Sequence, residues 1–124
     1  MAPGKKVKLA LAAAVVSLLT LPISSWATQG HTPAFKANLS LHAHGGFFDG
    51  HVGTAHVCQA GRVVTVSLMG GGPVGTAVTD HSGHWAGVTV PGAGTYVASV
   101  PEEVRGGYQG ADCLAGSSHP LTVQ

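Results

Sequence analysis

Asn38-Leu-Ser-Leu-His-Ala-His44 alternates without a break, with Leu39, Leu41 and Ala43 on one side and Asn38, Ser40, His42 and His44 on the other. Successive side chains of an extended chain point to opposite faces, so this period of two means a strand with one buried face and one wet face. Gly45-Gly46 ends the run. Phe47 to Cys58 reads as a second strand, bent or bulged at Gly50 or Gly53. Phe47 and Phe48 are adjacent, so one ring faces the core and the other faces out.

The rest of the chain repeats this punctuation. Gln59-Ala60-Gly61 turns into a third strand, Arg62 to Leu68, with Val64, Val66 and Leu68 on one side. Gly70-Gly-Gly-Pro73 separates it from a short fourth, Val74 to Thr79. Asp80-His81-Ser82-Gly83 is a turn, because Asp bonds its own backbone and Gly takes positive φ. His84 to Val90 is the fifth strand, in which Trp85 and Val88 share a face only if a bulge intervenes. Pro91-Gly-Ala-Gly94 turns into the sixth, Thr95 to Val100, with Tyr96, Ala98 and Val100 aligned; Trp85 and Tyr96 read as core. Pro101 to Ser118 is a long excursion, and Leu121 to Val123 is a closing edge strand.

After residue 27 no window has helical periodicity; Glu102-Glu-Val-Arg105 begins a turn that Gly106-Gly107 ends. Seven short strands at regular spacing in about 100 residues predict an all-β fold. The expected architecture is an antiparallel Greek-key-like β-sandwich over residues 37–124, preceded by an irregular arm at 28–36.

Residues 1–27 have a different character. Lys5, Lys6 and Lys8 precede an apolar run from Leu9 to Ile23, and Ser25-Trp26-Ala27 sets small residues at the two positions a signal peptidase reads. This order predicts a cleavable signal peptide and a secreted, extracellular product. The run is shorter than the roughly 18 residues that span a bilayer, and no membrane span is expected after cleavage. What remains carries Lys36, Arg62 and Arg105 against Asp49, Asp80, Glu102, Glu103 and Asp112, a net charge of −2 with His neutral. Such a surface cannot neutralise a row of phosphates, which argues against nucleic acid as a partner. An extracellular protein or surface ligand is the expected partner class.

Cys58 and Cys113 are an even pair in a chain bound for an oxidising compartment, which favours one internal disulfide. Two free thiols or an intermolecular pair are the alternatives. Neither has a second Cys or a His at zinc-finger spacing. Closing a loop of 56 residues stabilises the fold by up to about 4 kcal/mol in the chain-entropy treatment.

Several segments together carry a family likeness. They are Cys58-Gln-Ala-Gly-Arg62-Val-Val-Thr-Val66, Val74-Gly75-Thr76, Thr79-Asp80-His-Ser-Gly83-His-Trp85, Pro91-Gly-Ala-Gly94-Thr-Tyr96 and Gly106-Gly107-Tyr108 through Cys113. The chain resembles small secreted actinobacterial proteins with a fold like the carboxypeptidase regulatory domain and transthyretin. The resemblance implies that Thr79 to Trp85 is a hairpin, that Pro91 to Tyr96 opens the next strand, and that Cys58 and Cys113 form the subgroup's disulfide. It implies an Ig-like fold and no particular activity. A true immunoglobulin domain fits less well: position 111 is Ala rather than Tyr, and Trp85 follows Cys58 by two strands.

Histidine is the outstanding chemistry. His31, His42, His44, His51, His56, His81, His84 and His119 all follow the leader. His42 and His44 point the same way from one strand and could supply half of a zinc or copper site, with His81 and His84 adding ligands if their turn lies close. Against this, the alternation puts both on the wet face, where imidazoles simply replace other polar groups. Titration of eight imidazoles near pH 6.5 would swing the surface charge toward positive in mild acid, with surface adhesion strengthening there. For catalysis the signals are weak. No Ser lies in a nucleophile-elbow context, Asp80-His81-Ser82 is consecutive and cannot converge as a triad, and Glu102-Glu103 sit together on a loop. The reading is a non-catalytic module without a cofactor, with Zn or Cu binding as the alternative and with Tyr108 and Arg105 in the long loop as contact residues.

Overall fold

Two antiparallel sheets enclose the main core in the computed structural model, which describes residues 32–107 and 110–124. The strands are β1 (Ala34–Phe35), β2 (Asn38–His44), β3 (Phe47–Gly53), β4 (Val63–Leu68), β5 (Pro73–Val78) and β6 (His84–Thr89). They continue as β7 (Gly94–Val100), β8 (Glu103–Arg105), β9 (Ala111–Cys113), β10 (Gly116–Ser117) and β11 (Leu121–Val123). One core sheet is β2-β3-β6. The other runs β10-β7-β4-β5, with β11 also pairing along β7. The consecutive strands β3 and β4 lie in different sheets and pair with β6 and β7, which are also consecutive, so the layers interlock. A β-sandwich is the result.

The alternation behind these faces is obeyed closely. Val64, Val66, Tyr96, Ala98 and Val100 are buried from one sheet, and Leu39, Leu41, Phe48, Val52, Trp85 and Val88 from the other. Phe48 packs against Tyr96 with ring centroids 4.8 Å apart, while Phe47 faces out. Trp85 and Val88 are both buried because the β3–β6 register slips between Phe48 and Asp49. The extra residue on β6 is Gly87, whose φ of +92° an L side chain rarely adopts. Gly50 has a different task. A methyl there would overlap the Ser40 carbonyl oxygen and stand 2.8 Å from Trp85 Cζ2, so the glycine lets the indole lie on the backbone.

Three expectations are corrected. The second strand does not reach Cys58: β3 stops at Gly53, and His56–Cys58 is a 3-10 turn that carries the cysteine away from the sheet. The end of the 28–36 arm is not irregular, since β1 pairs with β9 in parallel; the two core sheets are antiparallel, and the third, β1-β9-β8, is mixed, with β8 antiparallel to β9. The long excursion contains β8, β9 and β10, two or three residues each. Strands this short carry no periodicity and exist only through their partners. The expected signal peptide, residues 1–27, and residues 28–31 lie outside the described residues.

Cys58 and Cys113 are joined, with Cα atoms 5.5 Å apart, and bury a second small core with Ala111. The bond fits an oxidising, extracellular environment. Among the described residues no helix is long and apolar enough to cross a membrane.

Arg62 ties this end to the sandwich. The residue is 1% exposed, and its guanidinium donates to the carbonyls of Cys58 at 3.0 Å, Pro101 at 3.1 Å and Leu114 at 3.2 Å. Its Nε stands 3.6 Å from a Glu103 carboxylate oxygen. Burial lowers its pKa, Glu103 opposes that shift, and Arg105 adds to it; an arginine nevertheless stays charged.

Candidate functional site

The outer face of the β2-β3-β6 sheet gathers most of the chemistry. Ser40, His42 and His44 project from β2, and Phe47, Asp49 and His51 from β3. The β2–β3 register pairs Ser40 with His51, His42 with Asp49 and His44 with Phe47. On the other side of β3, His51 pairs with His84 and Asp49 with Ala86. A strand period of two and a fixed register thus bring four imidazoles, one carboxylate and one exposed phenyl ring to a single side.

The imidazoles form two groups. His44 Nδ1 lies 3.0 Å from Asp49 Oδ2 and His42 Nδ1 lies 3.8 Å from Oδ1 of the same carboxylate, with the two rings stacked at 6.0 Å. His51 and His84 are 4.7 Å apart, ring to ring. His51 Nε2 donates to the Ser82 carbonyl at 2.9 Å, which leaves Nδ1 as the acceptor nitrogen. The Ser82 hydroxyl donates to Asp80 Oδ1, so His84 Nδ1, 3.0 Å from Ser82 Oγ, donates to that hydroxyl oxygen and its Nε2 is free to accept.

Asp80 organises the turn behind this second group. Its Oδ1 accepts from the Ser82 and His84 amides as well as from the Ser82 hydroxyl. Those bonds, the Ser82 amide first, favour the charged carboxylate and lower its pKa to about 2. His81 stays exposed in the turn and does not join the face, whereas His84 does.

The remaining sequence candidates lie elsewhere. Tyr108 is outside the described residues. Arg105 sends its guanidinium to the carbonyls of Val57 at 3.0 Å and Ala60 at 2.6 Å and pairs with Glu103, so it braces the disulfide end. Glu102, exposed, shares a hydrogen bond with Asp112 that raises its pKa. Local sequence pointed to His42 and His44, and to His84 only on condition that its turn lay close, but not to Asp49 or His51 as their companions. The one available signal was Asp49-Gly-His51, spaced like His42-Ala-His44.

Among the described residues there is no pocket, and no group of three or more His, Cys, Asp or Glu stands ready-made around a metal position. The site is an open surface. No family model, curated protein or solved structure matches the chain.

Proposed function

We propose that the chain is an exported, non-catalytic β-sandwich, of the carboxypeptidase regulatory-like and transthyretin-like kind suggested by its sequence, that binds an extracellular protein or surface ligand. Its contact surface is the outer face of the β2-β3-β6 sheet. The observation that carries the reading is the gathering of His42, His44, Asp49, His51 and His84 on one face of this sheet, with Phe47 51% exposed beside His44. A large aromatic ring kept in water among polar, partly apolar imidazoles is the composition of a contact surface rather than of a solvated one. Its flatness suits an extended partner better than an enclosed small molecule.

Retention on the envelope and secreted material of the producing cell tests this. A Phe47→Ser, His51→Ser double variant is released, while Val63→Ser with Val78→Ser, on the outside of the other sheet, and Tyr108→Ala are retained. Retention of the face variant at the wild-type level overturns the assignment, and release by Tyr108→Ala alone moves the contact to the long loop. Turnover of any member of a hydrolase substrate panel by the purified chain contradicts a non-catalytic role.

A further inference from the structure

Taking the outer face of the β2-β3-β6 sheet as the contact surface, as proposed above, we infer that its partner is an acidic polysaccharide, a chain of uronic-acid sugars, held only when the imidazoles are protonated. Among the described residues the permanent cations are Lys36, Arg62 and Arg105. Arg62 is buried, and Arg105 is held by the carbonyls of Val57 and Ala60 and by Glu103. Lys36 is exposed just ahead of β2, beyond its Asn38 end. An anionic chain can therefore meet most of its counter-charge only on the histidines.

Imidazole is the side chain that ordinarily changes charge between about pH 8 and pH 5. His42 and His44 on β2, His51 on β3 and His84 on β6 supply four of them. The carboxylates facing them are Asp49, turned toward His42 and His44, and Asp80, which accepts from the His84 amide. His81 in the turn and His119, next to the Ser118 that bridges to Leu39, border the face. Carboxylates keep their charge over this range. With neutral imidazoles the face carries two negative charges; with all four protonated it carries two positive ones. Each ring gains its proton without breaking a bond the fold uses. His51 donates from Nε2 to the Ser82 carbonyl and His84 from Nδ1 to the Ser82 hydroxyl, so the incoming proton goes to the other nitrogen and adds a donor. His42 and His44 turn Nδ1 toward Asp49 and keep Nε2 for the same purpose.

Charge alone does not choose among polyanions, but Phe47 does. It lies directly opposite His44 on the neighbouring strand and is exposed. A sugar ring presents a face of C–H bonds that can lie on an aromatic ring. Its carboxylate then accepts a charge-assisted hydrogen bond from an imidazolium beside that ring. A bare phosphate chain has no apolar face to set against the phenyl group. With no pocket among the described residues, the surface suits repeated units of an extended polymer better than one enclosed sugar.

Biolayer interferometry of the oxidised chain on immobilised polygalacturonate, at fixed ionic strength from pH ~8 to ~5, tests this. Binding strengthens by at least about tenfold toward the acid end, and the uncharged methyl ester of the same polymer is not bound. His42→Gln, His44→Gln, His51→Gln and His84→Gln each weaken binding at pH ~5 by about 1.5- to 5-fold, the range for an exposed ion pair, and together by at least about tenfold. His56→Gln, in the 3-10 turn at the disulfide end, leaves it unchanged. Asp49→Asn strengthens it at pH ~5, because the carboxylate no longer competes for His42 and His44. Phe47→Ser weakens binding of polygalacturonate by at least about twofold and leaves binding of polyphosphate, the probe for charge alone, unchanged. Circular dichroism at each pH confirms that every variant is folded. Equal binding at both ends of the pH range overturns the proposal. So does binding indifferent to the fourfold histidine variant, equal binding of the methyl ester, or a Phe47→Ser effect shared equally by polyphosphate. Retention on the producing cell's envelope that the Phe47→Ser, His51→Ser variant loses, but that neither pH nor soluble polygalacturonate alters, refutes only this partner and leaves the contact face in place.

Discussion

Replacing Arg62 with methionine removes three hydrogen bonds from a guanidinium that is almost wholly buried, while keeping most of the apolar stem. The carbonyls of Cys58, Pro101 and Leu114 lose their donors at 3.0, 3.1 and 3.2 Å, and Glu103 loses a partner at 3.6 Å. Hydrogen bonds to a charged group contribute about 1.5–3 kcal/mol each. Removing the arginine also removes its own desolvation cost, and Glu103 is exposed enough to hydrate, so the bonds do not add in full. A loss of about 3–5 kcal/mol is expected, the range for breaking a buried ionic cluster. For a domain of this length that lowers Tm by at least about 12 °C. With a urea m-value near about 1.5 kcal/mol/M, the midpoint falls by roughly 2 M or more. The damage is local in origin, so native-state hydrogen exchange should rise first at Leu114 and in β8 and β9, before β3 and β6. A fall of less than about 1 kcal/mol refutes the reasoning, because it would mean that the three carbonyls find water at no cost and that Arg62 does not join the disulfide end to the sandwich.

Replacing Cys58 and Cys113 together by serine costs up to about 4 kcal/mol in urea melts, and a change near zero would show that the cross-link does not restrain the unfolded chain. Gly50→Ala forces the Ser40 backbone and the Trp85 ring apart and destabilises by about 1–3 kcal/mol or more, with a shifted Trp fluorescence maximum; unchanged stability would contradict the packing. For Asp80 the folded carboxyl titrates near about 2 and the unfolded one near about 3.9, so between those values the unfolded chain binds more protons and stability rises with pH. The advantage of the wild type over Asp80→Ala is therefore complete above pH ~4 and vanishes as pH falls toward ~2. Thermal melts of the two proteins across that range check it, and a gap that stays constant would refute the Asp80 turn.

How much of this was legible in the sequence follows from what each signal reports. The alternation of Asn38 to His44 and of Thr95 to Val100 gave the faces correctly, because burying one side of a strand leaves a local mark at every second residue. The conflict between Trp85 and Val88 also declared itself, and Gly87 between them is where the extra residue went. Arg62 was read as an ordinary first residue of a strand. Nothing local distinguishes a buried arginine from an exposed one, since its acceptors lie as far along the chain as Pro101 and Leu114. The short strands β1, β8, β9 and β10 were missed for the same reason: their pairing is a tertiary fact. The candidate site was half visible. His42 and His44 share a face by period alone, but seating Asp49 and His51 beside them needs the β2–β3 register, and adding His84 needs the bulged β3–β6 register.

Chemical footprinting of the histidines with and without the bound partner tests the placement of the contact surface most directly. Diethylpyrocarbonate modifies exposed imidazoles, and mass spectrometry reads each one separately. If the outer face of the β2-β3-β6 sheet makes the contact, the partner shields His42, His44 and His84 while His56, His81 and His119 stay as reactive as in the free chain. Protection of His56, His81 or His119 with continued modification of His42 and His44 would place the working surface elsewhere.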